Sequence, residues 1–279
     1  MSAKTRKIIT LSAPWAVILI TLVFFCLYET GVIKVSNKRT PDLKKISFDI
    51  SDIRPDEMPL SQDLLLVNRE HPLPQDFEAD IVFYRDTDVY MNRSVVEDYG
   101  RLSDYIRENM GNRLYVSSTY RSYEDQERVY NEEGPDVAAL PGQSEHQTGL
   151  ALDVYVMYFA GEGFIDSQVG RYVNEHCSEY GFIIRYPEGE EEITGFAYEP
   201  WHIRYVGQPH ASIIAEYNIT LEEYIDCLEL YQWYEYDGYL IARFPEDDVL
   251  IPASFANRDN ITYCPDNTGN IIVTVPPES

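Results

Sequence analysis

The first long apolar stretch of the chain is an uncharged run of 21 residues, from Ile8 to Tyr28. A helix of this length is long enough to span a hydrocarbon core of about 30 Å. Lys4, Arg6 and Lys7 precede the run, so the positive-inside rule predicts a cytoplasmic N-terminus and an extracytoplasmic body. The alternative is a cleaved signal peptide, but its apolar core would be shorter and no clear cleavage site follows the run. The pattern predicts a single-pass membrane protein with residues 1–28 as its cytoplasmic tip and anchor.

Beyond a linker predicted at 29–60, the apolar positions alternate between helical and strand spacing. The clearest helix begins at Ser94 and Glu97, which have capping-box spacing, and ends at Gly111. Further helices are predicted at 122–133 and 167–180, near Pro209, and after Thr220. Strands are predicted at 63–68, 113–119, 149–156, 182–186, 201–206 and 266–275.

The pattern changes after Leu230, where aromatic and polar residues alternate around Asp237-Gly238, a strong hairpin signal. We therefore predict an α+β protein, in which a small antiparallel sheet with flanking helices carries the functional site within residues 61–228. One transmembrane helix would precede this domain, and a β-rich extension over 229–279 would follow it.

Charge divides the chain in the same way. Residues 1–45 contain eight lysines and arginines against two acidic residues, whereas residues 46–279 contain fourteen arginines and no lysine against forty-five acidic residues. Such an acidic body would repel the phosphates of nucleic acid, so we exclude nucleic acid as a partner.

Histidines with acidic neighbours provide the candidate chemistry. His146 precedes a predicted strand that carries Asp153, and His202 follows Glu199 by three residues. A catalytic zinc ion needs three protein ligands, an open position for water and a nearby carboxylate base. His146, Asp153 and His202 could supply the ligands and Glu199 the base. Packing or surface roles are predicted for the other three histidines, which are His71, His176 and His210.

Two small features favour this grouping. Gly149 permits a tight turn between His146 and the strand that carries Asp153. Pro200 interrupts the alternation of a regular strand, so the side chains of Glu199 and His202 need not point to opposite faces.

Four segments in this order, LLLVNREHPLP, TYRSYEDQ, SEHQTGLALD and EPWHIRYVG, resemble the zinc D-alanyl-D-alanine carboxypeptidases of the VanY type, over about residues 62–217. The resemblance implies that His146, Asp153 and His202 bind zinc and that Glu199 is the catalytic base. It also implies that Arg121 faces the scissile carbonyl, and it associates Gln126 and Ser144 with substrate binding. An alternative for Arg121 is a surface ion pair with Glu124 or Asp125.

The resemblance implies a zinc metallopeptidase that releases the terminal D-Ala of peptidoglycan stem peptides and contributes to glycopeptide resistance. An L,D-carboxypeptidase that trims tetrapeptide stems is one alternative, because the motifs do not fix the specificity pocket. A non-catalytic zinc-binding module of the cell wall is the other, although such a module would have no need of Glu199 as a base. The sequence leaves the oligomeric state open.

Overall fold

The computed structural model describes residues 40–48, 52–55, 58–134, 138–255 and 258–278. In this part of the chain, thirteen strands form four antiparallel sheets. The strands are β1 (Lys44–Ile46), β2 (Asp52–Ile53), β3 (Ile81–Phe83), β4 (Tyr90–Asn92), β5 (Tyr115–Ser118), β6 (Ala151–Tyr155), β7 (Phe182–Ile184), β8 (His202–Tyr205), β9 (Trp233–Tyr236), β10 (Tyr239–Pro245), β11 (Ile251–Pro252), β12 (Thr262–Pro265) and β13 (Asn270–Val275).

Six α-helices lie in the described residues, and the predicted end signals account for several of their bounds. They are α1 (Val96–Asn109), α2 (Tyr123–Glu133), α3 (Gln168–His176), α4 (Glu191–Thr194), α5 (His210–Tyr217) and α6 (Leu221–Cys227). The side chain of Ser122 caps α2, and Thr220 with Glu223 forms a complete capping box at α6. The capping box predicted at Ser94 is wrong, because its hydroxyl donates to Asp63 and α1 follows a 3₁₀ turn capped by Asn92.

The sheet that carries the candidate site has the order β5–β6–β8–β7. Leu152 and Val154 on β6 and Ile203 on β8 face a core that includes apolar residues of α1 and α3. Because side chains alternate along a strand, Asp153 lies on the opposite face from Leu152 and Val154. One face of this sheet is therefore packed, and the other is free to carry polar chemistry.

A second sheet, of order β1–β9–β10–β13–β12, contains most of the predicted β-rich extension. The predicted hairpin is confirmed: Asp237 and Gly238 both have positive φ angles, 48° and 79°, and connect β9 to β10. Strand β1, which comes from the predicted linker, pairs with β9 at the edge of this sheet.

The strand predicted at 63–68 is not formed. Leu64, Leu65 and Leu66 are buried, but the carbonyl groups of Asp63 and Leu65 accept hydrogen bonds from the guanidinium of Arg204. A buried loop whose backbone is satisfied by a distant side chain has the same apolar pattern as a buried strand.

The transmembrane prediction requires a correction. The run at 8–28 lies outside the described residues, and no helix in the described part of the chain is long and apolar enough to cross a membrane. We therefore remove the transmembrane helix from the fold class, together with the single-pass membrane location that was inferred from it. The mixed α/β architecture with antiparallel sheets holds for the described residues.

Candidate active site

The register of the site sheet brings Asp153 and His202 together. They are directly opposed residues on the antiparallel strands β6 and β8, a position in which two side chains project from the same face. The Nδ1 atom of His202 lies 2.9 Å from Oδ1 of Asp153. Both side chains are largely buried, with 5% of the surface of His202 and 19% of that of Asp153 exposed.

His146 reaches the same place from a turn rather than a strand. It lies in the 3₁₀ turn Glu145–Thr148, which Gly149 ends in the left-handed conformation at φ 69°. A Cβ atom on Gly149 would lie 2.8 Å from the backbone nitrogen of Asn92, so a side chain does not fit there. The turn places Nε2 of His146 3.2 Å from Oδ2 of Asp153, while Nδ1 lies 2.9 Å from the carbonyl oxygen of Thr119.

These three residues fit a metal ion. One ligand atom from each of His146, Asp153 and His202 lies within 4.8 Å of the others. Two imidazoles and one carboxylate form a donor set that zinc accepts, with a fourth position left open. Each histidine directs one nitrogen to Asp153, as ligands of a shared ion do.

The electrostatics of the site also favour a cation. Burial alone would lower the pKa of His202, but hydrogen bonding to Asp153 and the nearby carboxylates of Glu145 and Glu199 raise it to about 10. Burial would raise the pKa of Asp153, but the two histidines lower it well below its usual range. Asp153 therefore stays ionised and favours a positive charge at this position.

Glu199 lies at the edge of this group. Its backbone N–H donates to the carbonyl of Tyr186, and its own carbonyl accepts from the N–H of His202, so residues 199–202 form a turn. The turn places Oε2 of Glu199 3.7 Å from Nδ1 of His202, so the two side chains do not point to opposite faces. Burial raises the pKa of the Glu199 carboxyl, although the charges of His202 and Arg121 oppose the shift.

Arg121 has no ion pair among the described residues, unlike most arginines of this acidic chain. The proposed alternative partner Asp125 binds Arg128 instead. The backbone N–H of Arg121 donates to the carbonyl of His146, and its side-chain Nε is buried with no hydrogen-bond partner in the described part of the chain. Burial lowers the pKa of the guanidinium. An unpaired cation is therefore held beside the carboxylates of the site.

A cavity of about 460 Å³ connects these groups. Gln126 and Ser144, the two predicted substrate-binding residues, line it, and both are buried. The Nε2 atom of Gln126 donates to the carbonyl of Ala139, while its Oε1 atom is buried and has no hydrogen-bond partner among the residues that the structure describes. Trp201 also lines the cavity and packs against the core beneath the sheet. All seven predicted site residues therefore surround a single cavity.

Two residues of the site were missed from the sequence. Glu145, next to His146, is completely buried, and its carboxylate is bound by Arg185 and Arg204. The ring of Tyr186 lies 4.9 Å from the ring of His202 and limits the space in which the His202 ring can rotate. The sequence signal for Glu145 was its charge inside the motif SEHQTG. Its partners Arg185 and Arg204 lie 40 and 59 residues further along the chain, so they could not be identified from that motif.

Comparison with known proteins agrees with this geometry. A family model described as VanY, D-alanyl-D-alanine carboxypeptidase, matches residues 88–208. A bifunctional D-Ala-D-Ala dipeptidase and D-Ala-D-Ala carboxypeptidase, VanXYC of Enterococcus gallinarum, is 38% identical over 182 residues, which cover 59% of this chain and 94% of that protein. This chain belongs to the VanY family. A D-alanyl-D-alanine carboxypeptidase of Enterococcus faecium is 36% identical over 179 residues, 60% of this chain but only 58% of that protein.

Three solved structures are also similar to this chain in fold. The D,D-dipeptidase VanXYg, in complex with a D-Ala-D-Ala phosphinate analogue, has a TM-score of 0.65 at 31% identity and covers 76% of this chain and 93% of its own. The LD-carboxypeptidase LdcB has a TM-score of 0.55 at 31% identity, with 70% and 98% covered. A mutant D,D-pentapeptidase VanY in complex with Zn(II) has a TM-score of 0.51 at 32% identity, with 58% and 98% covered.

Proposed function

We propose that this chain is a zinc-dependent D-alanyl-D-alanine carboxypeptidase that releases the terminal D-alanine of peptidoglycan stem peptides. The observation that carries the proposal is the grouping of two histidines, one aspartate, one half-buried glutamate and one arginine around a single cavity, and this arginine has no ion pair among the described residues. Family membership supports the same reaction, because the matched model and the E. faecium relative are both described as D-alanyl-D-alanine carboxypeptidases.

His146, Asp153 and His202 would hold the zinc ion. When bound, zinc supplies Lewis-acid activation of water and of a carbonyl group. Glu199 would accept a proton from the attacking water and pass it to the amine of the departing D-alanine. The raised pKa of this carboxyl suits that role, since a base is most effective when its pKa is near the working pH.

Arg121 would stabilise the negative charge that develops on the oxygen of the scissile carbonyl. Its guanidinium has no competing carboxylate partner among the described residues, and burial strengthens its interaction with a nearby anion. Gln126, whose buried Oε1 has no partner within the described ranges, and Ser144 are proposed to hold the substrate beside this group.

An L,D-carboxypeptidase is the second candidate, because the LD-carboxypeptidase LdcB has a similar structure over 70% of this chain. Both activities need the same metal and base, and they differ in the stereochemistry on the amino side of the cleaved bond. Two relatives are named for vancomycin resistance. D,D-cleavage, which alters the terminus that vancomycin-type antibiotics bind, would connect this chain to resistance, whereas L,D-cleavage would not.

Incubation of the full chain with synthetic stem peptides would separate these candidates. We expect a pentapeptide ending in D-Ala-D-Ala to lose one alanine, as measured by mass spectrometry, while a tetrapeptide with a single terminal D-Ala stays intact. A chelator should stop the reaction and added zinc should restore it. Preferred loss of alanine from the tetrapeptide would establish the L,D-activity instead.

Replacement of the proposed base tests the mechanism. Glu199→Gln should lower kcat by about 10²–10⁴ while zinc content stays the same, because the side chain acts as a base and not as a ligand. Glu192→Gln is the matched control, since Glu192 is exposed and lies outside the catalytic cavity. Unchanged turnover in Glu199→Gln would refute the mechanism. If wild type and variant were both inactive on both peptides, the chain would be a zinc-binding module.

A further inference from the structure

A buried ionic cluster lies behind the metal site, on the side of His202 that faces away from Asp153. It consists of Glu145, Arg185, Arg204 and Glu222, and the side chains of the first three are completely buried. Oε1 of Glu145 accepts hydrogen bonds from Nε of Arg185 at 2.7 Å and from Nη1 of Arg204 at 2.5 Å. Two arginines therefore hold one oxygen of this carboxylate.

Stability alone is a weak reason for such a cluster. Buried ion pairs gain little over apolar packing of similar volume, because each charge loses its hydration. Both arginines also have other partners: Arg185 binds Glu222 with two nitrogens, at 2.6 and 2.9 Å, and Arg204 donates to backbone carbonyl groups. The second oxygen of Glu145 suggests what the carboxylate does.

Oε2 of Glu145 faces the metal ligand His202. It lies 3.8 Å from Nε2 of the imidazole, and within the described residues both atoms are buried without a hydrogen-bond partner. A carboxylate oxygen can only accept, so it favours a proton on the nitrogen opposite. The other ring nitrogen, Nδ1, lies 2.9 Å from Asp153 and is the one that faces the metal site.

The other histidine ligand has the reverse arrangement. In His146, Nδ1 lies 2.9 Å from the carbonyl oxygen of Thr119, and Nε2 faces Asp153. A carbonyl oxygen also only accepts, so His146 carries its proton on Nδ1 and offers Nε2 to the metal. The two ligands therefore need opposite tautomers, and each has an acceptor on the side away from the metal.

We propose that Glu145 is a positioning residue that keeps the proton of His202 on Nε2 and so leaves Nδ1 free to bind the metal. Arg185 and Arg204 orient the carboxylate by binding its other oxygen. This role rests on the proposed zinc function, but it concerns metal binding and not hydrolysis, so it can be measured on protein that is never given a substrate.

Glu145→Gln tests the proposal because it changes an acceptor into a donor. The two arginines would hold the amide oxygen, and the amide nitrogen would then face Nε2 of His202. We expect the zinc dissociation constant, measured by competition with a chromogenic chelator, to rise about 10–100-fold. Glu222→Gln is the matched control, since it makes the same change on the far side of Arg185 and should leave zinc affinity unaltered. An unchanged constant in Glu145→Gln, or an equal rise in both variants, would overturn the proposal.

A measurement on the wild-type protein keeps the test decisive if Glu145→Gln does not fold. In ¹⁵N-histidine NMR spectra of the zinc-loaded chain, His202 should show a protonated Nε2 and a metal-bound Nδ1, whereas His146 should show the opposite. Zinc on Nε2 of His202 would refute the role of Glu145. If these spectra agreed but no stem peptide were cleaved, the proposed function would fail while the role of Glu145 stood.

Discussion

His202 and His210 are equally buried, each 4% exposed, but their nitrogen atoms have opposite surroundings. His210 lies at the start of α5, where Nδ1 is 2.6 Å from the hydroxyl of Tyr224 and Nε2 is 3.1 Å from the hydroxyl of Thr274. Both of its nitrogens have neutral partners. His202 instead has carboxylates on both sides of its ring, and its Nε2 atom has no hydrogen bond to any described residue.

The same burial therefore produces opposite charge states. Burial lowers the pKa of His210 to about 3. The carboxylates around His202 outweigh burial and raise its pKa to about 10. A buried histidine is thus a weak sign of function by itself. The informative features are a nitrogen without a partner and a surrounding negative charge that a cation would neutralise.

The largest expected effect comes from His146→Ala, which removes a proposed ligand. We expect zinc binding to be lost and peptidase activity to fall by more than the roughly 10²–10⁴ expected for loss of a general base. Zinc content can be measured by atomic emission and activity by release of D-alanine.

His210→Ala makes the same substitution at the other buried site and should have the reverse outcome. Zinc content should stay at the wild-type value, but the free energy of unfolding should fall by about 2–5 kcal/mol, because a cavity forms and the hydroxyls of Tyr224 and Thr274 lose their partner. Loss of zinc in His210→Ala, or its retention in His146→Ala, would break the distinction between the two sites.

Arg121→Ala tests whether the open side of the metal site is where chemistry occurs. Loss of a group that stabilises charge on the carbonyl oxygen should lower kcat by about 10²–10³, with zinc content unchanged. Arg128→Ala is the control, because Arg128 is exposed and binds only Asp125 among the described carboxylates. Equal activities of the two variants would assign Arg121 a packing role.

The grouping of the site residues could be predicted because the sequence signals that place them lie close to them along the chain. Asp153 and His202 oppose each other because two predicted strands pair, and Gly149 turns the chain where a glycine is required. Glu145 could not be found in this way. Its arginine partners come from β8 and from the residue that follows β7, and only the folded sheet brings them to the turn that carries His146.

Fold prediction failed where a side chain replaced backbone pairing. The apolar run at 63–68 has the pattern of a buried strand, but Arg204 satisfies its carbonyl groups and the N–H of Leu66 donates to Asp266. The periodicity of apolar residues indicates which side chains are buried, but it does not indicate which groups the backbone N–H and C=O groups bind. The same limit applies to His210, for which a packing role was predicted without any sign of Tyr224 or Thr274 as its partners.

The comparison of the two histidines also predicts a pH dependence of stability at His210. Its pKa is about 3 in the folded protein and about 6.5 in the unfolded chain. The unfolded state therefore binds a proton first as the pH falls, so the contribution of His210 is complete above pH 6.5 and is lost between pH 6.5 and about 3. The slope should approach about 1.4 kcal/mol per pH unit.

His210→Gln has no group that titrates there, so urea unfolding at several pH values should show the stability gap between wild type and variant narrowing on acidification. Carboxylates elsewhere affect both proteins alike, so a gap that stays constant with pH would mean that His210 does not resist protonation in the folded state.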